Sequence, residues 1–490
     1  MAERVFTARE HGLADVDGAA LLGLPSRRTP RRPRGLLFTV LLGATALLLL
    51  AVIGAAFVGS GPWAWAVGLV YIGYDTWLLG HMVSASRRAI QEARPPGPAG
   101  PTPTLAVVIA ARNERQVLPA ALDALLAQDD QPERILLVDD GSSDGTAALL
   151  ARRYGIAQGG GPVWQSSLHP RLSLLSKENS GKARSLNLAL ERLTEEVVVT
   201  LDADTVLEPG AIAAVRRAFG AEPALWAACG VLRPVCRGGG IARVFQLYQT
   251  FEYLRAFLWR LAWMNEGTLV LVSGAFAGFR RSALLEAGGF DPGCRVEDYE
   301  LLYRLHRLAG DTGRSLSVRV IGDARAVTDA PAGLRVFLRQ RQRWFAGFVE
   351  TLFRHREMVG DARYGRLGTF HLIVKTVDTL LPLYGLAAIV TLACFVALRR
   401  TLDPVVLAAL AVKFAFDLLM HARCTWLSAR WQRTPLSPRV VAGSLLATLT
   451  EPFAFQLFRQ LGALLGWISF LRGRIEWSPQ RSTSADEREP

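Results

Sequence analysis

The chain has 490 residues, half of them hydrophobic, with a mean hydropathy of +0.22 and a formal net charge of +13. It is too apolar for an ordinary soluble protein and long enough for more than one folded unit. The positive balance suits an anionic membrane surface, and no zinc spacing, helix-turn-helix signature or basic helix accompanies it, so nucleic acid is not an expected partner. The cysteines, Cys229, Cys236, Cys294, Cys394 and Cys424, are odd in number and nowhere spaced CxxC, which argues against a disulfide framework and a zinc site.

From the N-terminus, residues 1–34 read as a basic cytoplasmic segment carrying Arg27, Arg28, Arg31, Arg32 and Arg34. Leu36 to Gly59 then runs 24 residues without a charge, the length of a membrane span. Pro62 to Ala85 is a second candidate, with Asp75 inside it and Arg87 and Arg88 after it. Basic flanks favour the cytoplasm, so 35–88 is expected to be a two-helix hairpin with both ends inside. Residues 89–103 read as a linker, rich in Pro and Gly (RPPGPAGPTPT from Arg94).

The next stretch, 104–355, is expected to be a cytoplasmic domain. Strands are predicted at LAVVIAA (105–111), ILLVDD (135–140), LSLLS (172–176) and VVVTLDAD, alternating with helices over 114–127, after GSSDGT, and over about 180–192. That alternation predicts an α/β domain with a mainly parallel sheet, whose ligand lies at the carboxyl ends of the strands. Polar clusters fall at those ends: Arg112-Asn113-Glu114, Asp139-Asp140-Gly141-Ser142, Lys177 to Lys182, and Asp202 with Asp204.

The clusters fit one ligand. Asp139 or Asp140 can accept a base N–H. Lys182, one of four lysines against 52 arginines, sits at a loop-to-helix junction suited to a phosphate. Strand alternation is expected to point Asp202 and Asp204 the same way, where two carboxylates repel unless something positive stands between them. Mg²⁺ or Mn²⁺, which take carboxylate and phosphate oxygens, would serve as that cofactor. The pattern suits a nucleoside diphosphate with a bridging metal, without the GxxxxGK[ST] of a P-loop. Further on, Glu297, Asp298 and Glu300 open a helix, and Gln340-Arg341-Gln342-Arg343-Trp344 precedes an apolar region. Taken singly, each cluster also fits a plain structural role: a solvated turn, dipole-favoured acids at a helix start, an interfacial anchor.

Residues 356–471 are expected to hold interfacial and transmembrane helices, and 472–490 a polar tail too short for a folded regulatory domain. Apolar stretches cover about 367–398 and 404–422; Arg399 and Arg400 would face outside against the charge rule, while Arg423, Arg430 and Arg433 obey it. Lys413 and Asp417, at i and i+4, can pair inside their span, lining a wet cavity or simply satisfying each other. The stretch 440–471, interrupted by Glu451-Pro452 and Arg459, fits a span, a re-entrant piece or an interfacial helix. The aromatic segment 244–263 fits an amphipathic helix, on a membrane surface or packed on the central domain.

Together the motifs LLVDDGSSDGT (136–146), KENSGKA, DAD (202–204), SGAFAGFRR (273–281), Glu297-Asp298 and QRQRW (340–344) resemble the family 2 glycosyltransferases. The likeness is closest to the membrane-embedded, processive branch that includes cellulose, hyaluronan, chitin-oligosaccharide and poly-N-acetylglucosamine synthases. The resemblance implies a GT-A-like nucleotide-sugar transferase domain inserted between transmembrane helices. It implies inverting transfer of a hexose from a UDP-sugar donor to a growing polysaccharide acceptor, coupled to export, with an N-acetylglucosamine polymer favoured and an export or accessory subunit as a further partner. Single addition to a membrane lipid acceptor is the alternative. The implied roles are Asp298, with Glu297, in catalysis; Glu114, Asp139, Asp140, Lys182, Asp202, Asp204, Gln340, Arg343 and Trp344 in nucleotide-sugar binding; Asp202 and Asp204 on the metal; and Ser273, Gly274 and Trp344 at the acceptor. One departure is Val296, where the family often has Thr before the Glu-Asp pair.

Overall fold

Among the described residues, nine strands form one sheet: β1 (Leu105–Ala111), β2 (Arg134–Asp140), β3 (Val163–Gln165), β4 (Leu172–Lys177), β5 (Val197–Asp202), β6 (Val206–Leu207), β7 (Leu225–Val235), β8 (Phe276–Arg280) and β9 (Ser317–Asp329). Their order is β3-β4-β2-β1-β5-β8-β7-β9-β6. This computed structural model describes residues 35–92, 102–157, 162–398 and 402–473. The N-terminal basic segment, most of the linker, Arg399-Arg400 and the polar tail from 474 therefore lie outside the described residues.

β4, β2, β1 and β5 run parallel. β3 on β4, β8 on β5, β7 on β8 and β6 on β9 are antiparallel. The expected mainly parallel sheet is thus a mixed one, with a parallel half and an antiparallel half. The parallel half is buried on both faces, with Leu105, Val107, Ile109, Leu137 and Val138 essentially inaccessible. Such strands read in sequence as unbroken apolar runs. Each of these side chains contributes about 1.5–3 kcal/mol on burial.

Register does the positioning. Ala111 pairs with Asp139, Ala110 with Asp202 and Asp140 with Lys177, so the polar ends of β1, β2, β4 and β5 finish at one edge.

The described residues divide into two units: 102–232 with 270–328, which carries the sheet, and 35–92 with 233–269 and 329–473, which is helical. Segments 233–269 and 329–355, inside the expected 104–355 domain, group with the helices.

In the helical unit, Leu36–Val58, Leu367–Ala397 and Pro404–Trp431 are long and apolar enough to cross a membrane. The last of the expected apolar stretches is a bent pair, Pro438–Phe453 and Phe455–Leu471, at 53°. The helix Ala66–Gln91, the expected second arm of the hairpin, is not among the spanning candidates; Asp75, His81, Arg87 and Arg88 interrupt it.

Two charged clusters inside these helices are paired. Lys413 Nζ meets Asp75 Oδ2 at 2.8 Å as well as Asp417. Glu451, which breaks the last apolar stretch, is buried and bound by Arg255 at 2.7 and 2.8 Å and by Arg459 at 3.1 Å. The aromatic helix Ile241–Asn265 lies within this unit. Leu258 and Leu261 pack with Leu79 and Val83, and Phe245, Tyr248 and Phe251 with Phe337 and Phe455. Its apolar side thus meets helices of its own unit, among them Leu334–Arg354 through Phe337, which lies within the expected 104–355 domain.

Candidate active site

Two loops at the edge of the parallel strands are stitched to each other. Asn113, held at φ 58°, donates its backbone N–H to Ser142 Oγ at 2.9 Å and accepts from Ser143 N at 2.8 Å. Asp144 accepts from the Arg115 and Thr146 amides at 3.0 Å each. Glu114 is half-buried between them, and its carbonyl accepts from the amides of Val117 and Leu118.

Asp139 and Asp140 behave differently from each other. Asp139 is buried and accepts from Ser142 N at 3.1 Å; burial pushes its carboxyl up, against the pull of the Ser142 hydrogen bonds. Asp140 braces the KENSG loop. It accepts from the amides of Ser180 at 2.9 Å and Gly181 at 2.8 Å and is ion-paired with Lys177. Gly141, at φ 73°, lies where an added Cβ would stand 2.8 Å from Asn179 N, so the two loops approach too closely for a larger residue. Lys177 entered the sequence reading only as part of a polar loop, because its partner lies 37 residues away on the neighbouring strand.

Lys182 begins the helix Lys182–Leu190 directly after Gly181, which sits at φ 95°. Its Nζ lies 2.6 Å from Asp202 Oδ1 and 3.4 Å from Glu297 Oε1. Burial alone would lower its pKa, but Asp202, Glu297 and Asp298 outweigh that and hold the ammonium charged.

Asp202 and Asp204 do not share a strand face as alternation implied. β5 ends at Asp202, and Ala203-Asp204 form a turn closed by Thr205 N on the Asp202 carbonyl at 3.0 Å. Asp204 Oδ1 accepts from the hydroxyls of Thr205 at 3.4 Å and Thr328 at 3.3 Å. Both carboxylates are half-exposed while Ala203 between them is buried. The positive partner that the pair demanded is, for Asp202, the ammonium of Lys182.

Asp298 lies in the first turn of the helix Glu297–Thr312, beside Glu297 and Glu300, where the helix dipole favours acids. Val296, the departure from the family pattern, is buried in the core and supplies no side-chain cap. Asp298 Oδ2 accepts from Gly274 N at 2.7 Å and Oδ1 from its neighbour Tyr299 N at 2.9 Å. Burial, reinforced by Glu297, pushes its pKa up to about 6, with Lys182 and the two backbone amides pulling the other way. Ser273 and Gly274 are half-buried, and Thr200 Oγ1, reaching the Gly274 and Ala277 carbonyls at 3.4 and 3.3 Å, ties their loop to β5.

The sheet unit thus gathers Lys182, Asp202, Glu297, Asp298 and Gly274 around one another, with Asp139, Asp140 and Asp204 on adjoining strand ends. Two carboxylates with room for further ligands suit a hard divalent ion that also takes phosphate oxygens, so Asp202 and Asp204 fit Mg²⁺ or Mn²⁺ by donor type. A different trio, Asp291, Cys294 and Glu300, has ligand atoms within 4.8 Å of one another, but Glu300 there is bound to Arg304 at 2.7 Å.

Gln340, Arg343 and Trp344 lie on the helix Leu334–Arg354 of the helical unit. Gln340 is buried and its Oε1 has no hydrogen-bond partner among the described residues; Arg343 and Trp344 are half-buried. Arg341, which the sequence reading passed over, organises the motif. It is bound to Glu252 at 2.5 Å and its guanidinium lies 4.5 Å from the ring centres of both Phe337 and Trp344. The signal was an arginine one turn after a phenylalanine and three residues before a tryptophan on one helix.

Residues 106–287 match the profile of Glycosyl transferase family 2, and residues 197–420 that of Glycosyl transferase family group 2. The chain is 27% identical over 248 residues to a poly-beta-1,6-N-acetyl-D-glucosamine synthase of Staphylococcus aureus, covering 50% of this chain and 55% of the relative. It is 26% identical over 251 residues to the Staphylococcus epidermidis synthase, covering 51% and 56%. The chain thus spans little more than half the length of these curated relatives. Among solved structures it is similar to the mannosyltransferase PcManGT of Pyrobaculum calidifontis, in complex with GDP-Man and Mn2+, at a TM-score of 0.52 and 21% identity, over 79% of this chain and 99% of that one. The likeness bears on the fold, a GT-A-like mixed sheet. On these matches residues 106–420 are similar to family 2 glycosyltransferases, and about half of the chain is similar to the staphylococcal synthases.

Proposed function

We propose that the protein is an inverting glycosyltransferase that moves a sugar from a UDP-sugar onto a growing polysaccharide, at a bacterial inner membrane with the catalytic unit in the cytoplasm. The observation that carries this reading is Asp298: a carboxylate fixed by two backbone amides and pushed up to about 6. At pH 7 a carboxyl of that pKa is about nine-tenths ionised, yet is a stronger base than an ordinary Asp.

The acceptor hydroxyl gives its proton to Asp298 as its oxygen attacks the anomeric carbon. The bond from that carbon to the phosphate oxygen breaks, and its electron pair leaves with UDP. One displacement inverts the centre, so an α-linked donor yields a β-linkage. Lys182 offers its positive charge to the departing diphosphate. Glu297 assists by holding the Lys182 ammonium beside Asp298 and Asp202. Asp202 and Asp204 would hold Mg²⁺ or Mn²⁺, whose chemistry when bound is to neutralise phosphate charge. Asp139 and Asp140 are assigned to the base, the latter through the loop it braces. Glu114, Gln340, Arg343 and Trp344 take nucleotide-side roles, and Ser273, Gly274 and Trp344 acceptor-side roles, on the resemblance. An N-acetylglucosamine donor and coupled export are the finer expectations, supported by the staphylococcal relatives.

The test is product size. Purified protein supplied with a panel of labelled UDP-sugars is expected to make a high-molecular-weight product from one of them. A single sugar on an organic-extractable lipid would replace this reading with the lipid-acceptor one.

A further inference from the structure

Arg87, from the flank after the second apolar segment, and Arg423 and Arg430, from the flank after the fourth, line one cleft in the helical unit. It lies between the helices Ala66–Gln91 and Pro404–Trp431 and holds about 490 Å³. That is inside the range of roughly 300–1,000 Å³ typical of ligand clefts. Its apolar lining includes Phe416, Met420 and Trp426.

Three like charges in one cleft repel. Elsewhere in the same unit Lys413 has Asp75 and Asp417, and Arg88, next to Arg87, has Glu266 at 3.9 Å. Among the described residues, none of Arg87, Arg423 and Arg430 has a carboxylate in ion-pair range; the contact recorded for Arg430 is with the Trp426 ring, at 5.5 Å. The arrangement therefore asks for an anion. An anion with an apolar part suits the cleft, since Trp426, which lines it beside Phe416 and Met420, is 46% exposed. The helix Pro404–Trp431 is long and apolar enough to span a bilayer.

We propose that this cleft binds an acidic phospholipid, the phosphate on the three guanidinium groups and an acyl chain along Phe416, Met420 and Trp426. Guanidinium forks match phosphate oxygens bidentately, a basic cleft beside a helix long enough to span a bilayer suits an anionic headgroup, and tryptophan favours the headgroup level. Inorganic phosphate offers the same charge without the apolar part.

The experiment uses the full chain in phosphatidylcholine nanodiscs titrated with phosphatidylglycerol, with bound lipid read by native mass spectrometry and stability by thermal melting. Phosphatidylglycerol is expected to be retained over phosphatidylcholine and to raise the melting temperature. The R87Q/R423Q/R430Q variant is expected to weaken retention on the order of 100-fold. Melting of the variant in pure phosphatidylcholine at the wild-type temperature shows that it is folded; if it is not, the single variants Arg87→Gln and Arg430→Gln carry the test by partial loss. Equal retention in the variants, or no preference over phosphatidylcholine, overturns the proposal. Stabilisation by inorganic phosphate equal to that by the lipid also overturns it, making the cleft a phosphate site. None of these readouts depends on glycosyl transfer.

Discussion

Gly274 donates its backbone N–H to Asp298 Oδ2 at 2.7 Å, and a Cβ on Gly274 would come 2.8 Å from that same oxygen. The glycine is what lets the SGAF loop lie against the proposed base. Gly274→Ala is therefore expected to cut kcat at least tenfold by displacing Asp298, while a melting scan shows a cost of about 1–3 kcal/mol, typical of overpacking. An unchanged kcat would separate the loop from the base.

Activity should follow the protonation of Asp298. Its pKa is raised to about 6, so the active, ionised form dominates above that pH and is lost below it. The expected profile of kcat/KM for the free enzyme rises about tenfold per pH unit below 6 and levels off above it. A profile flat between pH 5 and 7 would place the base elsewhere.

Lys182 stands between Asp202 and Glu297, so Lys182→Gln leaves two carboxylates facing each other without their cation. Binding of UDP is expected to weaken at least tenfold, measured by titration calorimetry with Mn²⁺ present, and Lys182→Arg to recover part of it. Wild-type affinity in Lys182→Gln would remove the lysine from the phosphate.

Membrane-unit stability should depend on Lys413. Replacing it with Met leaves Asp75 and Asp417 without their counter-ion, at a cost of roughly 3 kcal/mol, the lower end for a buried pair because the Asp75 side chain is a third exposed. Adding Asp75→Asn and Asp417→Asn should restore most of the melting temperature.

The parallel strands were legible because burial on both faces leaves continuous apolar runs such as LAVVIAA, and because their polar ends carry the ligand chemistry. β7 and β9 were not: β9 mixes buried and exposed positions along 13 residues and includes Arg319, Asp323 and Arg325. The acids proposed for catalysis could be picked out by motif, but their partners could not. Lys182 reaches Asp202 from another helix start, Asp140 turns to its own loop, and Asp204 leaves the strand for a turn. Lys413 finds Asp75 and Glu451 finds Arg255 across sequence distances over which no periodicity signals a contact.

The central claim is that Asp298 is the base of sugar transfer from a UDP-sugar. The most direct measurement is UDP release by the purified, detergent-solubilised protein across UDP-sugars, with and without Mn²⁺ or Mg²⁺, alongside Asp298→Asn. The account predicts metal-dependent release with one sugar, reduced about 10²–10⁴-fold in Asp298→Asn while UDP binding is retained. Turnover by Asp298→Asn at the wild-type rate would contradict it.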